Sequence, residues 1–289
     1  MHSYISSPGN TVKILARYGI KLKKSLGQNF LIDTNNAKKI VERAGISPED
    51  IVLEVGSGIG GLTEILTKKA KKVVCVEFDK LLVKAFRDIF KSELIDSLKL
   101  ELIHADALKL DYRELALRYK TGMVVSNLPY SIGAVLLLKM IMEAETIEKM
   151  ILTVQKDIAE RLLASVGDKN YSSYTVKANF LADYKFCFQI PRNCFIPRPF
   201  VDSWVIEVKR KDNSSLLDDS FDRDGFFDFI NACFLHRRKK LINSLSQKNS
   251  KYCDNVEFII KLLTGIGKDR NIRAEELTLK DYIYLYRNL

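Results

Sequence analysis

Apolar residues along the chain gather into short runs separated by polar, turn-rich stretches. The first strong run, Ile51-Val-Leu-Glu-Val55, is mostly β-branched and reads as a strand buried on both faces. It ends in Gly56, Gly58 and Gly60, and the mixed residues from Leu62 to Lys68 then read as a helix. Val73-Val-Cys-Val76 is a second strand, and Lys99 to Leu108 holds a third that ends at Asp106. Gly122 to Tyr130 is the fourth strand and its exit, because Pro129 cannot donate to a sheet ladder. Lys149 to Gln155, Tyr184 to Ile190 and Ser203 to Lys209 read as the fifth, sixth and seventh. A helix capped near Asp33 or Thr34 runs to about Ala44. Gln155 to Leu163 is amphipathic, with Ile158, Ala159 and Leu162 on one side. Residues 211 to 220 are polar and turn-rich, and the rest reads as helices. A boundary there predicts domains over residues 1–210 and 211–289.

Strand, glycine turn, helix is the first unit of a nucleotide-binding α/β sheet. Glycines let the backbone turn sharply and lie against a ligand. An acid to hold ribose hydroxyls is expected about 20 residues further on, and Glu77 stands there. The glycines alone are also compatible with a purely structural turn. However, their spacing is G-x-G-x-G, and Glu54 lies two residues before Gly56. That variant looks like S-adenosylmethionine methyltransferases more than nicotinamide dehydrogenases.

Composition narrows the picture further. The chain has 289 residues, 47% of them hydrophobic, enough for one large or two unequal domains. Its 46 Lys and Arg against 36 Asp and Glu give a net charge of +10, which suits a polyanionic partner. Five scattered cysteines, with no C-x-x-C pair, argue against zinc and disulfide frameworks and for a reduced, cytoplasmic protein. No apolar run is long enough to span a bilayer, and no apolar leader opens the chain. Residues 1–30 carry Lys13, Arg17, Lys21, Lys23 and Lys24 and no acid. They read either as a solvated, partly mobile terminus or as a basic arm near nucleic acid. Phe234 to Leu245 reads as a helix with four consecutive cations, Arg237, Arg238, Lys239 and Lys240. Those cations form either a solvated face or a phosphate-binding one.

Several motifs together resemble the KsgA family of ribosomal RNA adenine dimethyltransferases, over nearly the whole chain. They are Lys23-Lys-Ser-Leu-Gly-Gln-Asn-Phe-Leu-Ile-Asp33, Gly56 to Thr63, Asn127-Leu-Pro-Tyr130, Gln155-Lys-Asp157, Phe195-Ile-Pro-Arg-Pro-Phe-Val-Asp-Ser203 and the Arg-Arg-Lys segment. The resemblance implies a Rossmann-like class I methyltransferase of the α/β class. Its sheet should be seven-stranded and mostly parallel, with the last strand antiparallel and a small all-α domain following. The cofactor implied is S-adenosylmethionine. Gly56 should contact its methionine part, Glu77 the ribose and Asp106 the adenine, with Asn29 and Leu31 closing over it and Asn127 also touching the cofactor. The catalytic residues implied are Asn127, Leu128, Tyr130 and Phe195. Asn127 Oδ1 and the Leu128 carbonyl would accept the two N6 hydrogens of the target adenine, while Tyr130 and Phe195 sandwich its ring. Arg237 to Lys240 would bind RNA.

The implied activity is methyl transfer to N6 of two adjacent adenosines near the 3' end of 16S ribosomal RNA. The partner would be a precursor 30S subunit, and the enzyme a cytoplasmic monomer with a part in subunit biogenesis. The alternatives are a dimethylase of 23S RNA, in which Asn-Ile-Pro-Tyr is more usual, and an assembly factor without catalysis. Phe200 replaces the family's usual Lys, and Ser131 and Gly133 replace Asn and Ser. These departures bear on substrate contacts.

Overall fold

The structure is a computed structural model that describes residues 4–22, 27–95, 98–212, 221–247 and 250–289. Lys23, Lys24 and most of the predicted boundary at 211–220 lie outside those residues.

Among the described residues there are nine strands: β1 (Phe30–Leu31), β2 (Ile51–Val55), β3 (Lys72–Glu77), β4 (Leu100–His104), β5 (Met123–Asn127), β6 (Lys149–Gln155), β7 (Ala182–Ile190), β8 (Phe195–Ile196) and β9 (Ser203–Arg210). Seven form one sheet in the order β4-β3-β2-β5-β6-β9-β7. β2, β3, β4, β5 and β6 pair in parallel, and β9 runs antiparallel to β6. The central strands are buried on both faces, as their unbroken apolar runs require. The chain winds one way from β2 to β4 and returns to the other side of β2 with β5. Such a switch point opens a crevice at the carboxyl ends of the strands, where ligands bind.

Helices cover the sheet through apolar stripes. The helix Thr34–Ala44 buries Ala37, Ile40, Val41 and Ala44, a helical spacing, and Asp33 caps it by accepting from the Asn36 N–H. The helix Lys80–Ile89 buries Leu82, Val83, Ala85 and Phe86. Among the described residues, no helix is long and apolar enough to cross a membrane.

Two features were not legible in the sequence. The amino-terminal segment is structured from Tyr4 to Leu22, with a helix over Pro8–Arg17. Ile5 N donates to Glu64 Oε2 at 2.8 Å, Thr11 Oγ1 donates to the Ile5 carbonyl at 2.7 Å, and Leu15 is buried. Lys13, Arg17 and Lys21 lie on the exposed side. Secondly, β1 and β8 make a small antiparallel sheet of their own, with Phe30 opposite Ile196 and Leu31 opposite Phe195.

The chain divides into two compact units, Met1–Ala159 with Tyr184–Arg210, and Glu160–Asp183 with Lys211–Leu289. One break falls after residue 210, and residues 160–183 belong to the helical unit. Phe180 explains this, since its ring lies 5.0 Å from that of Phe226 and 5.7 Å from that of Phe227. Tyr171 also donates to the Leu277 carbonyl at 2.9 Å. The second unit is built on the helices Ser173–Leu181, Arg223–Cys233, Leu241–Leu245, Val256–Gly265 and Leu279–Arg287. Arg237 to Lys240 fall between two of these helices, in a turn and not on a helix face.

Candidate functional site

The crevice at the switch point is a cavity of about 490 Å³, within the range usual for small-molecule sites. Gly56, Glu77, Asp106, Asn29, Leu31, Asn127 and Leu128 all line it. The sequence distributes these residues over more than ninety positions; the ends of β2, β3, β4 and β5 bring most of them together, and β1 with the residue before it adds Leu31 and Asn29.

The glycine turn explains how the wall is shaped. Gly56 has φ +77°, and a Cβ there would lie 3.0 Å from Pro129 Cγ. Only glycine lets the exit of β2 lie against the proline of Asn127-Leu-Pro-Tyr130. Gly58 has φ +60°, and a Cβ there would lie 2.9 Å from Phe30 Cε1. Phe30 therefore folds over the turn from the opening segment, a role the sequence reading did not assign. Ile5, Ser6 and Thr11 also line the cavity, and nothing in their local pattern signals it.

Glu77 is fixed by three backbone donors. Gly58 N meets Oε2 at 2.8 Å, and Phe78 N and Asp79 N meet Oε1 at 2.8 and 2.9 Å. Burial raises its carboxyl above the ordinary range, and these backbone hydrogen bonds oppose that rise. Asp106 Oδ1 accepts from Leu108 N at 3.0 Å, which orients the carboxylate at the end of β4.

Asn127 closes β5. Its Nδ2 donates to the Asn29 carbonyl at 3.0 Å, which settles the orientation of the amide. Oδ1 is thereby turned away from Asn29, buried and without a hydrogen-bond partner. A buried acceptor left open costs free energy, so such an atom marks a place for a donor from elsewhere. Leu128 follows with its side chain buried and its N–H donating to the Thr153 carbonyl at 3.1 Å.

Tyr130 and Phe195 are brought together, but not as two walls of a slot. Their ring centroids are 6.2 Å apart at 63°, edge to face. Phe195 is 2% exposed and sits in the core cluster, with its backbone paired to Leu31 in β1. Neither ring lines the cavity. A base between two rings needs them parallel and apart, so the expected sandwich requires one ring to turn as the base enters. Tyr130 also bonds through its hydroxyl to Ser203 Oγ, and burial pushes its pKa up to about 12. It stays neutral near pH 7.

Arg237 is likewise not an open cation. Its Nε lies 3.2 Å from Glu275 Oε2, and it donates to the Lys169 carbonyl and, at 3.4 Å, to that of Asp168. It ties the helical unit together. Arg238, Lys239 and Lys240 are exposed, although Lys240 also donates to Asn271 Oδ1 at 2.6 Å. Among the described residues, no group of three or more His, Cys, Asp or Glu is placed to hold a metal.

Glu54 is a further carboxyl in the wall, 2% exposed. Burial raises its pKa from 4.5 to about 8, against the hydrogen bonds from Thr63 Oγ1 at 2.6 Å and Cys75. A folded pKa above the unfolded one means that the folded chain binds this proton more tightly. The stability it contributes is complete below pH 4.5 and is lost as pH rises through about 8. Glu77 acts with the same sign. Unfolding free energy from urea titrations should therefore fall between pH 5 and 8, by at most about 1.4 kcal/mol per pH unit from Glu54. Glu54→Gln cannot ionise, and its profile should be flatter. Parallel profiles for the two proteins would refute the assignment.

A family model described as ribosomal RNA adenine dimethylase matches residues 19–280. Ribosomal RNA small subunit methyltransferase A of Geobacillus thermodenitrificans (strain NG80-2) is 38% identical over 289 residues, covering 99% of this chain and 97% of that protein. A solved dimethyladenosine transferase from Plasmodium falciparum superposes with a TM-score of 0.73 at 26% identity, over 89% of this chain and 95% of that one. The 23S rRNA methyltransferase ErmE superposes with a TM-score of 0.64 at 24% identity, over 90% of this chain and 98% of that one, a likeness of fold.

Proposed function

We propose that this chain, which belongs to the ribosomal RNA adenine dimethylase family, moves methyl groups from S-adenosylmethionine to N6 of adenosines in small-subunit ribosomal RNA. The observation that carries this reading is the open, buried Oδ1 of Asn127 on the cavity wall.

The residues suit the cofactor. Glu77 offers a carboxylate held by backbone donors to a pair of ribose hydroxyls. The glycine turn leaves room that a side chain would fill, and Asp106 stands at the next strand end. When bound, S-adenosylmethionine supplies an electrophilic methyl on a sulfonium.

The remaining work falls to the chain. The N6 amine of adenine is nearly planar, with its lone pair delocalised into the ring. Asn127 Oδ1 accepts one N6 hydrogen and the Leu128 carbonyl the other. Two acceptors placed in this way draw the nitrogen towards tetrahedral geometry and aim its lone pair. Both are dipoles set before reaction, so they stabilise developing positive charge with little reorganisation. Asn127 is held by Asn29, and Leu128 by its bond to Thr153. No base is needed in the displacement, because the alkylated nitrogen is acidic and its proton passes to solvent. A second cycle gives the dimethylated base.

The finer reading is that the targets are two adjacent adenosines near the 3' end of 16S RNA in a precursor 30S subunit. The enzyme acts in the cytoplasm as a monomer, and its five cysteines are all free, in keeping with a reducing compartment. The test is mass spectrometry of both ribosomal RNAs after undermethylated subunits meet the protein and labelled S-adenosylmethionine. Label in dimethyladenosine of small-subunit RNA is expected. Label confined to large-subunit RNA would replace the substrate, and none in either would remove the activity.

Arg238, Lys239 and Lys240 contact phosphates in this reading, as part of a helical RNA-binding domain. Reversing the three to Glu should raise the Kd for subunits and flatten its dependence on salt, because fewer counterions are released. Cofactor affinity should not change. Arg237 is left intact, since its loss would loosen the helical unit. Filter binding at several salt concentrations decides it, and an unmoved slope returns the cations to a solvated surface.

A further inference from the structure

Resting on the reading above, we propose that Phe200 stacks on an unpaired base flanking the target adenosine, with Arg198 on the neighbouring phosphate. Phe200 is 89% exposed, and Arg198, two residues before it, is exposed as well. It belongs to a loop between β7 and β9 whose course is fixed at several points. The loop backbone pairs with β1 through β8, and Ile32 N donates to the Cys194 carbonyl at 2.8 Å. Asp202 accepts from Arg192 N at 2.9 Å and from Gln189 Nε2 at 2.8 Å, while its carbonyl accepts from Lys156 N at 3.0 Å. Arg192 also donates to the Phe200 carbonyl at 3.3 Å. Pro197 and Pro199 restrict φ on the way.

The ties reach the catalytic strand end directly. Ser203, three residues after Phe200, bonds to the hydroxyl of Tyr130. Phe200 is thus exposed on a loop that polar bonds tie to Tyr130, the residue that directly follows Asn127-Leu128-Pro129 in the chain. At the start of β9 stands a second, half-buried aromatic group. Trp204 lies 4.7 Å from Phe186 at 64°, and Lys156 Nζ lies 5.9 Å from the Trp204 ring. Aromatic rings interleaved with cations are the chemistry of single-stranded RNA, whose bases stack on rings without regard to sequence. Phe200 stands where the resembling family usually has Lys, so a stacking contact replaces a charge. Duplex RNA would not supply an open base face, and a protein partner would not require the cations.

Steady-state methyl transfer to undermethylated small subunits tests this, with wild type, Phe200→Ala, Phe200→Tyr and Arg198→Ala compared. Phe200→Ala should raise KM for subunits about five-fold or more, with kcat, S-adenosylmethionine affinity and melting temperature unchanged. Phe200→Tyr should match wild type, because the stacking face is kept. Arg198→Ala should reduce the slope of log KM against log salt by about one. An unmoved KM for Phe200→Ala, or a fall in kcat alone, overturns the proposal and leaves the methyltransferase reading standing. A KM change that tracks a lowered melting temperature also overturns it, by making the ring structural. Absence of transfer by wild type to any subunit would instead fail the function on which it rests.

Discussion

Asn127→Ala is expected to lower single-turnover methyl transfer by about two orders of magnitude or more, with subunit and cofactor affinity nearly unchanged. The estimate follows from what the side chain does in the fold. Nδ2 is committed to the Asn29 carbonyl, and Oδ1 is buried with no partner. The fold therefore gains one hydrogen bond from this amide and bears the cost of an open acceptor. Removing the side chain loses the first and relieves the second, so stability should move by about 1 kcal/mol or less. Rate should move much more, because the dipole faces charge that develops only during transfer. Asn127→Asp sharpens the test. It keeps an acceptor for the amine but sets a carboxylate oxygen against the Asn29 carbonyl, which should displace the opening segment. Partial activity with weaker cofactor binding is expected of it. A quenched-flow rate for Asn127→Ala near that of wild type would take this residue out of the mechanism.

The sheet was legible in the sequence because buried parallel strands write themselves as unbroken apolar runs. All seven predicted strands are present, with β9 antiparallel to β6. The glycine turn and Glu77 were legible through spacing, since the first βα unit fixes how far apart they fall. The family read from the motifs is the one the comparisons give. What escaped has a common physical character. The β1–β8 pairing joins segments more than 160 positions apart through only two residues each, too short for any periodicity. The amino-terminal segment packs through Ile5, Thr11 and Leu15, and in sequence its charges outweigh those contacts. Arg237 looked like its neighbours because local sequence carries no sign of Glu275 or of the Lys169 carbonyl. Residues 160–183 lie between strands of the sheet yet pack elsewhere, through Phe180. Periodicity reports which face is buried and not what buries it.

Phe195→Ala is expected to destabilise the protein by about 3–5 kcal/mol, and its melting temperature should fall by roughly 5–15 °C. Phe195 is 2% exposed and belongs to the buried apolar cluster. Its removal leaves a cavity that neighbours held by β1, β8 and the Ile32 N–H to Cys194 carbonyl bond cannot easily fill. Methyl transfer should fall too, by a route that differs from that of Asn127. Phe195 meets Tyr130 edge to face, and its backbone faces Leu31 at the cavity wall. Losing the ring lets both shift, so cofactor affinity should weaken along with the rate. Tyr130→Phe removes only the hydroxyl bonded to Ser203 and keeps the ring contact, so it should retain most activity. Tyr130→Ala should resemble Phe195→Ala in part, since it opens the same contact from the other side. The pair is close enough to couple, and the double alanine variant should cost less than the sum of the two single losses. The measurements are melting temperature, S-adenosylmethionine affinity and single-turnover rate on each variant, repeated well below the variant's melting point. Recovery of cofactor affinity at the lower temperature would follow from a core role. If Phe195→Ala instead melts like wild type and loses only transfer, the ring is not holding the core. A sandwich around the target base would then return as the better account of Phe195.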